Sequence, residues 1–164
     1  HSTESIKETA KKLIDNMRDL IWALNPENAT LANLVARMRE HTTDYLEDAA
    51  VEITYQIPEN LPSLTVDNEV HRALFLVVKE AIHNITKHAK ATHINFNIEF
   101  TETDFLICIS DNGIGFESME SSGNGVKNMQ SRMKKINGKM TLNSIKNKGT
   151  EVCFELKLSL ISKR

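Results

Sequence analysis

The stretch "SDNGIGF", residues 110–116, closes an apolar run and brings one aspartate and two glycines together. The chain has 6 glycines, none of them lies before Gly113, and four lie between Gly113 and Gly125. Glycine permits positive φ and has no Cβ, so this cluster indicates a backbone that another group approaches closely. Asp111 follows a strand-like run, where a partly desolvated carboxylate is able to accept a hydrogen bond from an amine. By itself the loop is also compatible with a calcium loop or a plain turn.

Composition excludes several classes of protein. A length of 164 residues suits one domain with a helical appendage. A formal charge of −2 lacks the basic surplus of general nucleic-acid binders, and the six histidines lack metal-ligand spacing. No apolar stretch approaches transmembrane length, and the first residues do not form a signal peptide. Because the chain opens at His1 without a Met, we expect a fragment of a longer protein, whose other regions are free to hold a membrane anchor.

Two cysteines, Cys108 and Cys153, lie in apolar runs that look like strands. Unpaired cysteine behaves as a small hydrophobic residue and is commonly buried. We therefore expect two buried, reduced thiols, which fits a cytosolic compartment.

The first part of the chain predicts a helix, a break and a second helix over residues 3–48. Apolar residues recur there at steps of four and three, which is the spacing of a heptad seam: Ile6, Ala10, Leu13, Met17, Leu20 and Leu24. Such a seam favours lengthwise packing against partner helices, and the alternative is an ordinary amphipathic helix packed on its own domain. Pro26 disfavours helix at Asn25 and so ends this segment, and the second helix is expected from about Thr30.

Beyond Ala50, alternating patterns predict five strands. They are expected at 51–57, 93–100, 105–110 and 139–145, with a last strand in which Val152, Phe154, Leu156, Leu158 and Leu160 share one face. Helices are expected from the N-cap Asp67 to Ala89 and over 126–136. The run "FLICIS" is apolar on both faces and predicts a central strand. The fold class is therefore α+β: a two-layer α/β sandwich with a mixed, largely antiparallel sheet and helices on one face.

Polar side chains share one face of the helix that ends near Ala89. These side chains are spaced by three and four residues along the helix, counted from Glu80 to Asn84 and from Asn84 to Lys87 and His88. Oxygen ligands of this kind suit a hydrated Mg²⁺ that carries phosphates, because Mg²⁺ takes few protein oxygens and keeps waters. The alternative is a solvated polar face.

Two further motifs follow the opening loop. In "GNGVKNM", residues 123–129, Gly123 and Gly125 precede a helix whose free N-terminal amides can bind phosphate, and Lys127 adds charge. In "KGT", Gly149 and Thr150 enter the last strand. Between the glycine motifs, "FESMESSGN", residues 116–124, is polar and short of apolar anchors, so we predict a lid that is mobile without nucleotide.

In this order, the four elements resemble those of the gyrase and histidine-kinase ATPase superfamily over about residues 51–160. "EAIHNITKHA", which starts at Glu80, is similar to its N box, "DNGIGF" and "GNGVKNM" to its two glycine boxes, and "KGT" to its last box. The NxxKHA form, the short lid and the absence of a phenylalanine box resemble sensor histidine kinases of the nitrate-sensor type. The segment "LIWALNP", residues 20–26, resembles the exit of that subfamily's dimerisation stem.

The resemblance implies a Bergerat-type ATP-binding fold over residues 49–164, and partial dimerisation helices with a linker over residues 1–48. It implies that Asp111 recognises the adenine amine with Thr150 nearby, that Asn84 coordinates Mg²⁺ with Glu80, and that Glu80 orients or deprotonates the attacking group. The implied catalytic residues are Glu80, Asn84, Lys87 and His88. The implied ATP-binding residues are Asn84, Lys87, His88, Asp111, Gly113, Gly115, Gly123, Gly125, Val126, Lys127 and Thr150.

The family's phosphoacceptor histidine is expected upstream of this chain. His1 is followed by Ser2 rather than by an acidic residue, His41, His71 and His93 are expected to be surface or structural, and His83 to face away from Glu80. Transfer to a histidine and then to a DNA-binding response regulator is implied, in a full-length homodimer without direct nucleic-acid contact.

The resemblance also implies a cytoplasmic domain of a bacterial sensor that reaches the membrane only through other regions. Two rival functions remain open. One is a serine kinase of the same fold, of the anti-sigma type, and the other is a non-catalytic ATP-binding interaction module.

Overall fold

The structure is a computed structural model and describes residues 2–117 and 123–162, without the side chains of Ala23 and Pro26. Its helices are α1 (Ser2–Leu24), α2 (Leu31–Leu46), α3 (Asn68–Asn84), α4 (Asn124–Lys135) and α5 (Leu158–Ile161), with a 3-10 turn at Pro26–Asn28 and a π-helical turn at Ile85–Ala89. Its strands are β1 (Glu52–Gln56), β2 (His93–Phe100), β3 (Asp104–Asp111), β4 (Lys139–Ile145) and β5 (Gly149–Lys157). No helix in these two ranges is both long and apolar enough to cross a membrane.

The five strands form one mixed sheet in the order β1-β2-β3-β5-β4. β1 and β2 are parallel, and the other three neighbouring pairs are antiparallel. The predicted α+β class with a mixed, largely antiparallel sheet is confirmed, and the apolar run "FLICIS" is the central strand β3. Because β3 pairs with β2 on one side and β5 on the other, its last residue, Asp111, lies between the ends of both neighbours.

The core forms where one face of the sheet meets the helices. Alternate residues of the three central strands are buried, as period-two patterning requires: Ile94, Phe96, Ile98, Phe105, Ile107, Ile109, Val152, Phe154 and Leu156. Leu74, Val78 and Ile82 of α3 belong to the same cluster, and so do Leu34 and Met38 of α2. Helix α2 is thus packed into the core, while the division of the chain at residue 48 stays a prediction.

The last strand is shorter than its alternation predicts. β5 ends at Lys157, and Leu158 begins the short helix α5, so Leu158 and Leu160 do not continue the buried face of the strand. The amide of Leu158 donates to the carbonyl of Thr103 in the turn before β3, at 2.8 Å. Lys157 pairs with Asp104, the first residue of β3, so the alternating pattern of β5 continues beyond the end of its neighbour. The contact with the turn takes the place of further strand pairing.

The two cysteines correct the expectation of reduced, buried thiols. Cys108 and Cys153 lie directly opposite each other on β3 and β5, and the structure joins them by a disulfide. Both are only half-buried, because they project from the face of the sheet opposite to the core. Sequence alternation places each cysteine on a face of its strand but does not show which strands are neighbours.

Helix α1 turns its apolar seam away from its own domain. Four seam residues are 58–67% exposed: Ile6, Leu13, Met17 and Leu24. The alternative prediction, an ordinary amphipathic helix whose seam packs on its own domain, is therefore wrong. A polar contact holds the end of α1 instead: the Asp19 carboxylate accepts from Arg37 of α2 and, at 3.0 Å, from Lys79 of α3.

Trp22 completes this contact. Its ring lies 4.9 Å from the ring of His71 on α3 and carries the Arg37 guanidinium 4.4 Å from its centroid. His71 is 2% exposed, which makes it a structural histidine as predicted, although a buried one. Burial and, to a smaller extent, the charge of Arg37 lower the pKa of His71 from 6.5 to about 4.

We predict that acid destabilises the fold through His71. In the unfolded chain the imidazole of His71 is protonated below about pH 6.5, whereas in the folded state it stays neutral down to its pKa of about 4. The free energy of unfolding therefore decreases as the pH falls from 6.5 to about 4. The expected loss is about 1.4 kcal/mol per pH unit. Urea unfolding at about pH 7 and about pH 5 measures it, with the loss absent in His71→Leu.

The control is His83→Gln, which alters an exposed histidine on the same helix. An equal fall in stability with pH in the wild type and in His71→Leu contradicts the prediction.

Candidate functional site

A cavity of about 410 Å³ opens between α3, α4 and the adjoining edge of the sheet. Its polar lining comes from Asn84 and His88 on one side and from Asp111 and Thr150 on the other. Its apolar lining comes from Ala81, Ile85, Ala89, Ile109, Ile114, Phe116, Val126, Met129, Leu142 and Val152. A mainly apolar cavity with a few converging polar groups is the usual form of a small-molecule site.

Asp111 is the acidic group of this cavity. The amide of Gly113 donates to its carboxylate at 2.8 Å, and the amide of Thr150 donates to it from β5. Burial raises the pKa of Asp111, and these two hydrogen bonds oppose the rise. The carboxylate is therefore held in one orientation with capacity to accept a further hydrogen bond.

Gly149 permits the close approach of β5 to the end of β3. Its φ is +107°, and a Cβ built there would lie 1.9 Å from the carbonyl oxygen of Asp111. Any other residue would therefore push Asp111 away from Thr150. Of the glycines predicted at the site, Gly115 and Gly123 line the cavity, whereas Gly113 packs behind it against the backbone of Ala89.

Ser144 is a residue that the sequence analysis missed. Its hydroxyl lies 2.7 Å from the Thr150 hydroxyl and accepts from the amide of Phe116 at 2.9 Å. It thus connects strand β4, strand β5 and the loop after Asp111. The sequence feature that could have identified Ser144 is the turn at residues 145–149. When the two strands are paired outward from that turn, Ser144 lies opposite Thr150.

The polar residues of α3 are divided by the π-helical turn. Asn84 ends the α-helix and lines the cavity, and His88 lines it from the π-helical turn. Lys87 is exposed and does not line the cavity, because wider i to i+5 turns break the 3.6-residue period on which the predicted common face depends. His83 points away, as predicted, with its Nδ1 2.8 Å from the Tyr45 hydroxyl.

Helix α4 brings its first turn against α3. A Cβ built at Gly125 would lie 2.3 Å from a carboxylate oxygen of Glu80 and 3.2 Å from the side-chain amide of Asn84. Glu80 and Asn84 thus lie together beside Gly125 at the N-terminus of α4. Val126 lines the cavity, whereas Lys127 is exposed outside its wall.

Glu80 and Asn84 fit a magnesium ion. They supply a carboxylate and an amide oxygen one helical turn apart, next to a glycine that leaves room. In the described part of the chain, no group of three or more His, Cys, Asp or Glu side chains is placed to hold a metal by itself. The remaining ligands would thus come from phosphate oxygens and water, as Mg²⁺ prefers.

The predicted lid lies largely outside the description. Of residues 116–124, the structure describes Phe116, Glu117, Gly123 and Asn124, and residues 118–122 fall in the gap between the described ranges. Phe116 and Gly123, on the two sides of the gap, both line the cavity. His1 also lies outside the described residues.

Two curated relatives align with most of the chain. The chain is 26% identical over 161 residues to the oxygen sensor histidine kinase NreB of Staphylococcus carnosus. This alignment covers 96% of the chain and 46% of NreB. The chain is 30% identical over 132 residues to the signal transduction histidine-protein kinase/phosphatase DegS of Brevibacillus brevis, which covers 79% of this chain and 32% of that protein. The chain thus spans less than half the length of either relative.

Solved structures show the same fold. The blue-light activated histidine kinase of Erythrobacter litoralis matches with a TM-score of 0.73 and 16% identity, over 94% of this chain and 50% of that one. The histidine kinase AdeS of Acinetobacter baumannii matches with a TM-score of 0.66 and 16% identity, over 95% of this chain and 83% of that one.

The family of histidine kinase-, DNA gyrase B- and HSP90-like ATPases matches residues 69–160, which hold every lining residue of the cavity. This match covers more than half of the chain and includes both glycine motifs, Asn84 and Asp111. The protein therefore belongs to the histidine kinase-, DNA gyrase B- and HSP90-like ATPase family.

Proposed function

We propose that this chain is the ATP-binding catalytic part of a sensor histidine kinase. The observation that carries the proposal is one cavity with Asp111 at one side and Asn84, beside Glu80 and the start of α4, at the other. Names of the two relatives and of both solved structures, all histidine kinases, support it.

The apolar walls of the cavity would hold the adenine ring, and the Asp111 carboxylate would accept a hydrogen bond from its exocyclic amine. Thr150 and Ser144 provide hydroxyl groups beside that carboxylate. Two backbone donors already fix Asp111, so little orientational freedom is lost when adenine binds.

The triphosphate would extend toward the N-terminus of α4. Amides at the start of a helix lack intrahelical partners and bind phosphate well. His88 lines the cavity, while the exposed Lys87 and Lys127 are long enough to reach phosphates from its rim. Asn84 and Glu80 would hold Mg²⁺, which supplies charge neutralisation for the phosphates when bound.

In the transfer step, Glu80 would orient or deprotonate a histidine that attacks the γ-phosphorus. The bond from that phosphorus to the β–γ bridging oxygen breaks, and ADP leaves. We place the acceptor histidine in a segment upstream of this chain and the exposed seam of α1 in the stem of a homodimer. A DNA-binding response regulator would receive the phosphoryl group, in the cytoplasm.

We predict that the cavity prefers ATP to GTP. Guanine presents a carbonyl oxygen where adenine presents an amine, so GTP leaves the Asp111 carboxylate unpaired and repelled, at a cost of about 2–4 kcal/mol. Competition of both nucleotides against a fluorescent ATP analogue measures this difference, and equal potency contradicts it. Asp111→Asn should weaken ATP binding more than about tenfold. Asp104→Asn, the same change at the opposite end of β3, is the control.

We predict that Asn84→Ala removes the effect of Mg²⁺ on nucleotide affinity. The variant loses an oxygen ligand, while the apolar walls and Asp111 remain. Calorimetric titration with ATP in Mg²⁺ and in EDTA should show a clear difference for the wild type and little for the variant. Asn128→Ala, at an exposed position of α4, is the control. If Asn84→Ala keeps the full Mg²⁺ effect, the metal site is elsewhere.

We predict that the chain of residues 1–164 binds Mg-ATP without forming stable phosphohistidine on itself. Phosphoryl transfer needs the nucleophile in line with the γ-phosphorus. The ring of His71 is buried and that of His83 is bonded to Tyr45. His88 lines the cavity, but we assign it to phosphate contact, and a nucleophile also needs an adjacent base and an open approach. Acid-labile, base-stable label from γ-labelled ATP should appear only in the full-length protein. Stoichiometric labelling of this chain alone would refute the upstream acceptor.

A further inference from the structure

A second cavity, of about 140 Å³, lies at the junction of the first four helices and is separate from the nucleotide cavity. Each of these helices contributes polar side chains to it: Asn16 and Asp19 of α1, Arg37 of α2, His71 and Arg72 of α3, and Arg132 of α4. It shares no lining residue with the first cavity.

The charge of this cavity is opposite to that of the chain. Three arginines line it against one aspartate, whereas the whole chain has a formal charge of −2. Asp19 already pairs with Arg37 and Lys79. Within the described ranges, neither Arg72 nor Arg132 forms an ion pair. Among the described residues, these two exposed guanidinium groups thus have no counter-charge at one concave site.

His71 is the second, independent observation. Its side chain lines the cavity and is 2% exposed, yet neither ring nitrogen has a hydrogen-bond partner among the residues that the structure describes. Buried polar groups in folded proteins are nearly always hydrogen-bonded, so such a group indicates a missing partner. Whatever occupies the cavity would have an acceptor atom for the N–H of the neutral imidazole.

We propose that this cavity is a binding site for a small free oxyanion that carries two negative charges, such as a phosphate or a short dicarboxylate. Arg72 and Arg132 would bind its oxygens through the paired donors that suit guanidinium to oxyanions, and His71 would donate to another oxygen. Arg37 adds charge from the side of α2. The ligand would contact helices α1 to α4 together and so hold the end of α1 on the rest of the domain.

The site also lies on the two helices that form the nucleotide cavity. α4 lines that cavity with Val126 and Met129 and this one with Arg132, and α3 reaches both with Asn84 and His71. If the proposed ATP binding holds, the two ligands should change each other's affinity by the same factor. Oxyanion binding itself does not depend on that function.

Trp22 provides a local probe for the test. It is the only tryptophan of the chain, and its ring contacts both His71 and Arg37. Tryptophan fluorescence is titrated with inorganic phosphate, sulfate and succinate, with sodium chloride keeping the ionic strength constant. We expect saturable change with at least one of these dianions and none with chloride. Comparing the affinities for phosphate and succinate shows whether the site prefers a tetrahedral oxyanion or a dicarboxylate.

Arg132→Gln and Arg72→Gln should each weaken the response about tenfold or more, since each removes charged hydrogen bonds to the ligand. Lys135→Gln removes the same charge from α4 outside the cavity and should leave the response unchanged. Asn84→Ala should also leave it unchanged, which separates this site from phosphate bound in the nucleotide cavity. The proposal is overturned if no dianion gives saturation, if both arginine variants respond like the wild type, or if only Asn84→Ala loses the response.

Discussion

The site depends on one half-buried carboxylate, that of Asp111, at the end of the central strand. Burial disfavours its charged form, and backbone amides of Gly113 and Thr150 offset this by donating to it. The amide of Thr150 is in reach only because β5 approaches the end of β3 at Gly149, where a Cβ would collide with the Asp111 carbonyl oxygen. The antiparallel register of β3 and β5 and the position of a glycine thus set the chemistry of the cavity.

The remaining parts of the site are attached to the same core. Leu74, Val78 and Ile82 of α3 pack in the core with the buried residues of the sheet. This packing fixes the position of Glu80 and Asn84 on α3 relative to the strands. After Asn84 the chain forms a π-helical turn, from which His88, rather than Lys87, lines the cavity. Such turns are rare and are often found at functional sites. Helix α1 is joined to this core through Asp19 and Trp22, and its apolar seam is left exposed.

Much of the fold was predictable, because alternation and helical periodicity are strong where one face is buried. The five strands and the central place of β3 follow from such patterns, while the site residues around Asn84, Asp111 and Thr150 were identified from short motifs and their resemblance to a known family. What the patterns missed depends on contacts between distant segments. Ser144 is recognisable only from strand pairing, the disulfide needs β3 beside β5, and α5 replaces the end of a strand where Leu158 bonds to Thr103. The π-helical turn has no signature in a simple 3.6-residue period.

The most direct test of the proposed ATP site is a crystal structure of the chain with Mg²⁺ and a non-hydrolysable ATP analogue. We expect the exocyclic amine of adenine to donate to the Asp111 carboxylate within about 3 Å, and the phosphates to lie between Asn84 and the start of α4. An adenine ring bound elsewhere, or turned so that no nitrogen of the base meets Asp111, would contradict it.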